Sequence, residues 1–341
     1  MMVKITGYKI DLDKAVNEIV SKNYQTVALQ IPEGLKRDIW DFVQIFEHKT
    51  NATILVSADP CFGSCDIPYN KMKDLNVDFI VHIGHTPIPS LNNTSIPTTI
   101  LNAYSTIDVS PTIEKSLSYL EGKKIGVVTT AQHIHLLPTI KKKLKENNFT
   151  PLLSKGDKRI YHNGQILGCN FTAATAIANK TDSFLFIGSG TFHPLGLLLS
   201  CKKPVIAADP YTKTIQKKEL EELKDSVLRQ RYGAIALSKN AKRYGIIIGL
   251  KQGQQRLQTA YQIKKLLHAH NKKSLFIAQD QFSPTNLQGF DKIDCYVSTA
   301  CPRIAIDDYL QYKIPIITPI ELEIILGEKQ WQDYRFDEIY E

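Results

Sequence analysis

The sequence predicts an α/β fold. It reads as three repeated small Rossmann-like domains, each with a four-stranded parallel sheet, packed around a central site. Three observations carry this. Short β-branched runs ending in turn residues alternate with amphipathic helical stretches along the whole chain. The runs are nearly continuously apolar, as strands of a parallel sheet covered on both faces must be. They also recur with constant spacing: third-strand starts at 78, 183 and 295 precede fourth-strand starts at 97, 203 and 314, gaps of 19, 20 and 19 residues.

In order, the first group comprises "TVALQIPEG" (26–34), "TILVSADP" (53–60), "DFIVHIGHT" (78–86) and "PTTILNAY" (97–104). The second comprises "KIGVVTTAQH" (124–133), "TPLLSKGD" (150–157), "SFLFIGSG" (183–190) and "KPVIAADP" (203–210). The third comprises "YGIIIGLKQGQ" (244–254), "SLFIAQD" (274–280), "CYVSTACP" (295–302) and "IPIITP" (314–319). A helical segment opens each unit, at 11–22, 111–121 and 215–243, and another, with its apolar face in "LKRDIWDFVQIF", fills 35–49. The expected domains are 1–105, 106–213 and 214–341. No long Gly/Ser or Pro-rich linker separates them, and a four-stranded sheet buries little by itself, which favours a shared core.

Composition narrows the class. The chain has 341 residues, 43% hydrophobic and 22% charged, an ordinary globular balance. No apolar run approaches the ~20 residues of a membrane span, and the N-terminus lacks the apolar run of a secretory signal, so a cytoplasmic protein is expected. The net charge of +8 suits a solvated surface or an acidic partner. The lysines are scattered without interleaved aromatics, so direct nucleic-acid binding is not expected.

Six cysteines in a reducing compartment are core residues, catalytic groups or metal ligands rather than a disulfide framework. Ligands of open α/β sheets sit beyond the carboxyl ends of the strands. Cys61 and Cys65 ("DPCFGSCD") follow the second strand of unit one, Cys169 ("GQILGCNF") that of unit two, and Cys301 ("STACPR") the third strand of unit three. Cys201 and Cys295 have the setting of core cysteines. Aligned without gaps, the third strands put Phe79, Phe184 and Cys295 in register, so that His85, Gly190 and Cys301 coincide at the strand ends. Three thiolates from three units suit a soft metal or an iron–sulfur cluster. Three unrelated buried cysteines are the alternative, and structural zinc would want a fourth ligand.

Other strand-end loops hold polar residues. Gln30, Glu33 and Gly34 lie in "QIPEGLKRD"; Gly188, Ser189, Gly190 and His193 in "IGSGTFHPLG", where backbone amides could face an anion; Asp209 in "ADPYT". His85, Gln132, His133 and His135 share this placement. No nucleophile elbow, Walker loop or HExxH is present, which disfavours hydrolase and NTPase functions.

Together "FGSCD" (62–66), "TTAQHIH" (129–135), "GQILGCNF" (164–171), "FIGSGTFHPLGL" (186–197), "DPYTK" (209–213) and "ACPR" (300–303) resemble the archaeal 2-(3-amino-3-carboxypropyl)histidine synthase family of diphthamide biosynthesis, across all three units. The resemblance implies a homodimer of triplicated α/β subunits with a [4Fe-4S] cluster on one cysteine per domain. Motif by motif these are Cys65, Cys169 and Cys301. It implies radical transfer of the 3-amino-3-carboxypropyl group from S-adenosylmethionine to a histidine of translation elongation factor 2, with methylthioadenosine released and an electron donor as a further partner. Gln30, Glu33, Gly34, Gly188, Ser189, Gly190, His193 and Asp209 are the expected S-adenosylmethionine contacts, and Gly63 is expected to let the Cys65 loop turn toward the domain junction. Phe62 and Ser64 depart from the family's Tyr-Gly-Ala-Cys-Asp run, and Cys61 has no counterpart in it. Quinolinate synthase, also built from three α/β units with one cluster cysteine each, is the nearest rival; a cluster-sensing or structural-metal protein is the non-enzyme alternative.

Overall fold

The structure is a computed structural model that describes every residue except Met1, Thr6, Asn93 and Glu341. Its strands are β1 (Met2–Ile5), β2 (Tyr8–Asp11), β3 (Thr26–Gln30), β4 (Thr53–Val56), β5 (Phe79–Ile83), β6 (Thr98–Leu101), β7 (Ala103–Ser105), β8 (Lys124–Thr129), β9 (Thr150–Leu152), β10 (Ser183–Ile187), β11 (Val205–Asp209), β12 (Thr214–Gln216), β13 (Arg243–Gly249), β14 (Lys273–Gln279), β15 (Cys295–Ser298) and β16 (Ile316–Ile317). Every expected run holds a strand, shorter at its carboxyl end because the turn residues there form the loops; β13 and β14 begin one residue before the expected start, and the run 97–104 divides into β6 and β7. Three parallel sheets share one order: β4-β3-β5-β6, β9-β8-β10-β11 and β14-β13-β15-β16. Three strands were not legible. β1 pairs antiparallel with β2 and β2 with β7, and β12 adds antiparallel to β11. They are short and too polar to stand out as buried strands. β12 also moves the start of the following helix from the expected 215 to Lys218.

Each sheet is covered on both faces, which is why its strands carry no polar alternation. In the first, Val27, Leu29, Phe79 and Val81 pack on Phe42 and Phe46, whereas Ala28 and Ile80 meet Ile67, Tyr69 and Met72. One core of the second sheet, around Phe184, Phe186 and Phe171, also takes in Leu220, Val227, Ile306 and Phe336. That sheet is therefore sealed by residues from far along the chain.

The same device opens each sheet. Asp78 Oδ2 accepts the backbone N–H groups of Gln25 and Thr26, Asp182 Oδ2 those of Lys123 and Lys124, and Asp294 Oδ2 those of Lys242 and Arg243, all at 2.8–3.0 Å. Each carboxylate pins the start of its sheet's first strand. These anchors correct the gapless alignment of the third strands. Val27 pairs with Phe79, Ile125 with Ser183 and Tyr244 with Cys295. The counterpart of Phe79 and Cys295 is thus Ser183, not Phe184, and that of His85 and Cys301 is Ser189, not Gly190. Apolar runs tolerate either offset; the aspartate hydrogen bonds choose one.

The third sheet is locked by a buried ion pair. Arg231, from the helix Lys218–Ser238, donates from Nε and Nη2 to both carboxylate oxygens of Glu321 (2.7 and 2.6 Å), and from its remaining N–H groups to the carbonyls of Ala305 and Ile316. Both side chains are fully buried. Removing the carboxylate strands a guanidinium in the core. Glu321→Ala is therefore expected to lower unfolding free energy by about 3–5 kcal/mol, read as a fall in the denaturation midpoint.

Candidate functional site

The site is assembled from loops at the carboxyl ends of strands in all three sheets. After β4, the chain runs to a single turn of 3₁₀-helix, Ser64–Asp66, which presents Cys65. Gly63 does not direct this loop by an unusual conformation. Its φ of 168° is extended backbone open to any residue. The glycine that matters sits opposite, in the loop after β13. A Cβ on Gly253 would lie 2.4 Å from Cys65 Cα and 2.6 Å from Cys65 Cβ. Lys251 in that loop pairs with Asp66 at 2.5 Å, both nearly buried, and Gln254 Nε2 donates to Cys65 Sγ at 3.5 Å. From β3, Gln30 Nε2 donates to the Asp66 carbonyl at 2.8 Å.

Cys169 is held from the C-terminal segment. Ile339 N–H donates to the Cys169 carbonyl (2.8 Å), Asn170 Nδ2 to the Ile339 carbonyl (2.9 Å), and Phe171 N–H to Glu338 (2.6 Å). The ring of Phe192, at the start of the helix Phe192–Cys201, lies where a Cβ on Gly168 would stand, 2.3 Å away. The Arg303 guanidinium, two residues beyond Cys301, lies 3.9 Å from the Phe192 ring centroid. Arg256 fixes the residues before Cys301, donating to the carbonyls of Thr299 (2.8 Å) and Ala300 (3.1 Å) and pairing with Asp337 of the same C-terminal segment.

The fold thus brings Cys65, Cys169 and Cys301 near enough for their charges to act on one another. Burial pushes the Cys65 thiol up to about 11, and the nearby Cys169 adds to the rise. Burial raises Cys301 too, reinforced by Cys169 and then Cys65. Cys169 is also raised by burial, but the positive charge and hydrogen bond of Arg159 pull against it, with Arg256 assisting. Arg159 is itself buried and donates to the Gly253 carbonyl at 2.6 Å, so it spans the Cys169 and Cys65 loops. By contrast, Cys201 and Cys295 are buried among apolar side chains, as expected.

Residues 31–336 match the family model described as "Putative diphthamide synthesis protein". The chain belongs to the diphthamide synthesis protein family. Among its relatives, the 2-(3-amino-3-carboxypropyl)histidine synthase of Pyrococcus horikoshii is 34% identical, covering 97% of this chain and 94% of that protein. The Methanocaldococcus jannaschii protein of the same name is 35% identical, over 98% and 94%. The crystal structure of Dph2 from Pyrococcus horikoshii with a 4Fe-4S cluster superposes with a TM-score of 0.88 at 33% identity, covering 100% of this chain and 95% of that one.

In this member of the diphthamide synthesis family, the donor chemistry around the thiols fits an iron–sulfur cluster. All six cysteines are free. The Gln254 amide and the Arg159 guanidinium direct N–H groups at two of the three sulfurs, and Arg256 adds positive charge, which suits an anionic sulfur-rich group.

The other expected contacts divide. Ser189 and Gly190 are exposed, and Gly190 has φ +75° with open space where a Cβ would stand. Gly188 is closed off by the Phe186 ring, 2.7 Å from its would-be Cβ. His193 stacks on Phe186, and burial lowers it to about 4. Gly34 faces open space, but Glu33 is paired with Lys36 at 2.5 Å. Both ends of the Gln30 amide are engaged, and Asp209 Oδ1 accepts the N–H groups of Tyr211 and Thr212. "TTAQHIH" and "DPYTK" meet one another: Tyr211 Oη donates to Ser105 (2.9 Å) and lies 3.3 Å from His133 Nε2.

Arg159, Lys251, Gly253, Gln254, Arg256 and the 337–339 segment were missed by sequence reasoning. "KQGQ" was the available signal, a polar glycine-bearing run directly after a strand. Nothing local in "DEI" (337–339) announces that it clamps a loop 170 residues away.

Proposed function

We propose that this chain is a [4Fe-4S]-dependent 2-(3-amino-3-carboxypropyl)histidine synthase acting in the first step of diphthamide biosynthesis. It would carry out radical transfer of the 3-amino-3-carboxypropyl group from S-adenosylmethionine to a histidine of translation elongation factor 2, releasing methylthioadenosine. The observation that carries this reading is the convergence of three thiols, one from each parallel sheet, in a chain that belongs to this family.

Cys65, Cys169 and Cys301 are the proposed cluster ligands, and 1–105, 106–213 and 214–341 three repeats of one α/β unit. When bound, the cluster supplies a single electron and, with three protein ligands, one iron open to the co-substrate. The chain's own task is orientation, since the bond that breaks is the one facing the cluster. Arg159 and Gln254 hold two of the sulfurs. The exposed Ser189–Gly190 backbone, His193 and the open turn at Gly34 are the proposed S-adenosylmethionine contacts. Gln30, Glu33, Gly188 and Asp209 shape the loops that present them. A cytoplasmic homodimer served by an electron donor is the expected assembly, and the +8 charge would favour docking an acidic partner.

The test is anaerobic incubation of the reduced, cluster-loaded protein with S-adenosylmethionine and elongation factor 2. Methylthioadenosine and a matching mass gain on one histidine of the factor are expected. Neither product appearing, with cluster and factor intact, would sink the reading.

A further inference from the structure

Cys61 is not isolated. Its Sγ and one nitrogen each of His82 and His85 all lie within 4.8 Å of one another. None of the three has a role in the site proposed above. Cys61 and His82 are buried, while His85 is partly accessible. The backbone brings them together. His82 is near the end of β5, and the left-handed φ of +99° at Gly84 turns the chain so that the two rings face each other, centroids 5.1 Å apart. A Cβ at Gly84 would also meet Pro32 at 2.8 Å, so glycine is required there twice over.

The hydrogen bonds fix the tautomer. Gln30 Nε2 must be the end that faces the Asp66 carbonyl, because a carbonyl only accepts. Gln30 Oε1 therefore faces His82 Nδ1 at 2.8 Å, and that nitrogen carries the proton. His82 Nε2 is left with its lone pair, 2.9 Å from His85 Nδ1. A ring whose far N–H is anchored on a fixed acceptor, with its near nitrogen facing a second imidazole in a group that includes a thiol, has the outer support that metal-bound histidines have. Burial holds both imidazoles neutral, the form that ligates.

We propose that Cys61, His82 and His85 bind a borderline-soft divalent cation of the zinc class, separate from the three-thiol centre. Two imidazoles and one thiolate are a zinc donor set, and three protein ligands leave a fourth position open. The cation replaces the proton shared between the two rings, which moves to the other nitrogen of His85. Cys61 gives up its thiol proton, so one proton is released per cation bound. Zinc bond lengths call for ligand atoms about 3.3–3.6 Å apart, a small adjustment from the present spacing. The bound ion would tie the loop after β4 to the loop after β5, four residues from Cys65.

The experiment uses the reduced full chain carrying Cys65→Ser, Cys169→Ser and Cys301→Ser, titrated anaerobically with Co²⁺. Saturation at one equivalent is expected, with a thiolate-to-cobalt charge-transfer band that Zn²⁺ abolishes by displacement. Adding Cys61→Ser should remove the band, and adding His85→Ala should weaken binding at least roughly tenfold. No saturable binding, or a band that survives Cys61→Ser, overturns the proposal. Should the triple variant fail to fold by circular dichroism, elemental analysis of the otherwise unaltered protein decides. Zinc bound in a one-to-one ratio and lost in Cys61→Ser with iron retained supports the site; no zinc retained after dialysis against it refutes the site. This outcome is independent of the transferase assay.

Discussion

Single replacement of Cys65, Cys169 or Cys301 by alanine is expected to abolish the brown absorbance of the anaerobically reconstituted protein and, with it, methylthioadenosine formation. Cys61→Ala should retain the absorbance. The argument is one of ligand count. Three thiolates are the minimum that holds a four-iron cluster with one iron open, and Cys65, Cys169 and Cys301 lie near enough to raise one another's thiols. Loss of the absorbance in Cys61→Ala with retention in Cys65→Ala would reverse the ligand assignment. The same thiols give the cluster-free protein a pH signature. Burial raises each of them above the ~8.5 of an unfolded cysteine. Their contribution to stability is therefore complete below pH ~8.5 and is lost as pH rises toward the value of about 11 for Cys65. Cluster-free protein should lose thermal stability across that window faster than a variant with all three replaced by alanine. The loaded protein should not, since its sulfurs are already deprotonated.

Gly253→Ala is expected to have the next largest effect. Its new methyl would stand 2.4 Å from Cys65 Cα, which is backbone and cannot swing aside. Neither loop is free to retreat. The Gly253 carbonyl is held by Arg159, and the Cys65 loop by the Lys251–Asp66 pair and by Gln30. Overpacking of this kind costs about 1–3 kcal/mol, roughly a five- to 150-fold loss in cluster retention if the strain falls on the bound state. Gly34→Ala is the matched control, because a Cβ there meets nothing within 4 Å. Iron content and absorbance of the two variants, measured side by side, provide the test. Equal retention would mean that the Gly253 loop does not set the position of Cys65.

Much of the site's wiring lies between elements that a linear reading cannot relate. Gln30, at the end of β3, bridges Asp66 and His82, a link that no local pattern announces. Cys61, which has no counterpart in the family's run, sits in a three-residue cluster because Gly84 turns His85 back onto His82. Arg256 and Asp337 are unremarkable in sequence, yet their pairing links the Cys301 loop to the segment that also holds the Cys169 carbonyl.

What the sequence determined alone was whatever is written in local periodicity and in contiguous motifs. Twelve apolar runs specify the strands of three parallel sheets of one order, and the motif positions put Cys65, Cys169 and Cys301 in loops that follow strands. Tertiary structure alone decided the register of the third strands, the convergence of the thiols and their polar supports. The physical reason is common to all three. Apolar burial is nearly indifferent to a shift of one residue along a strand covered on both faces, whereas hydrogen bonds and ion pairs are directional. The Asp78, Asp182 and Asp294 anchors, the Lys251–Asp66 pair and the C-terminal clamp on Cys169 acquire their geometry only when distant segments meet.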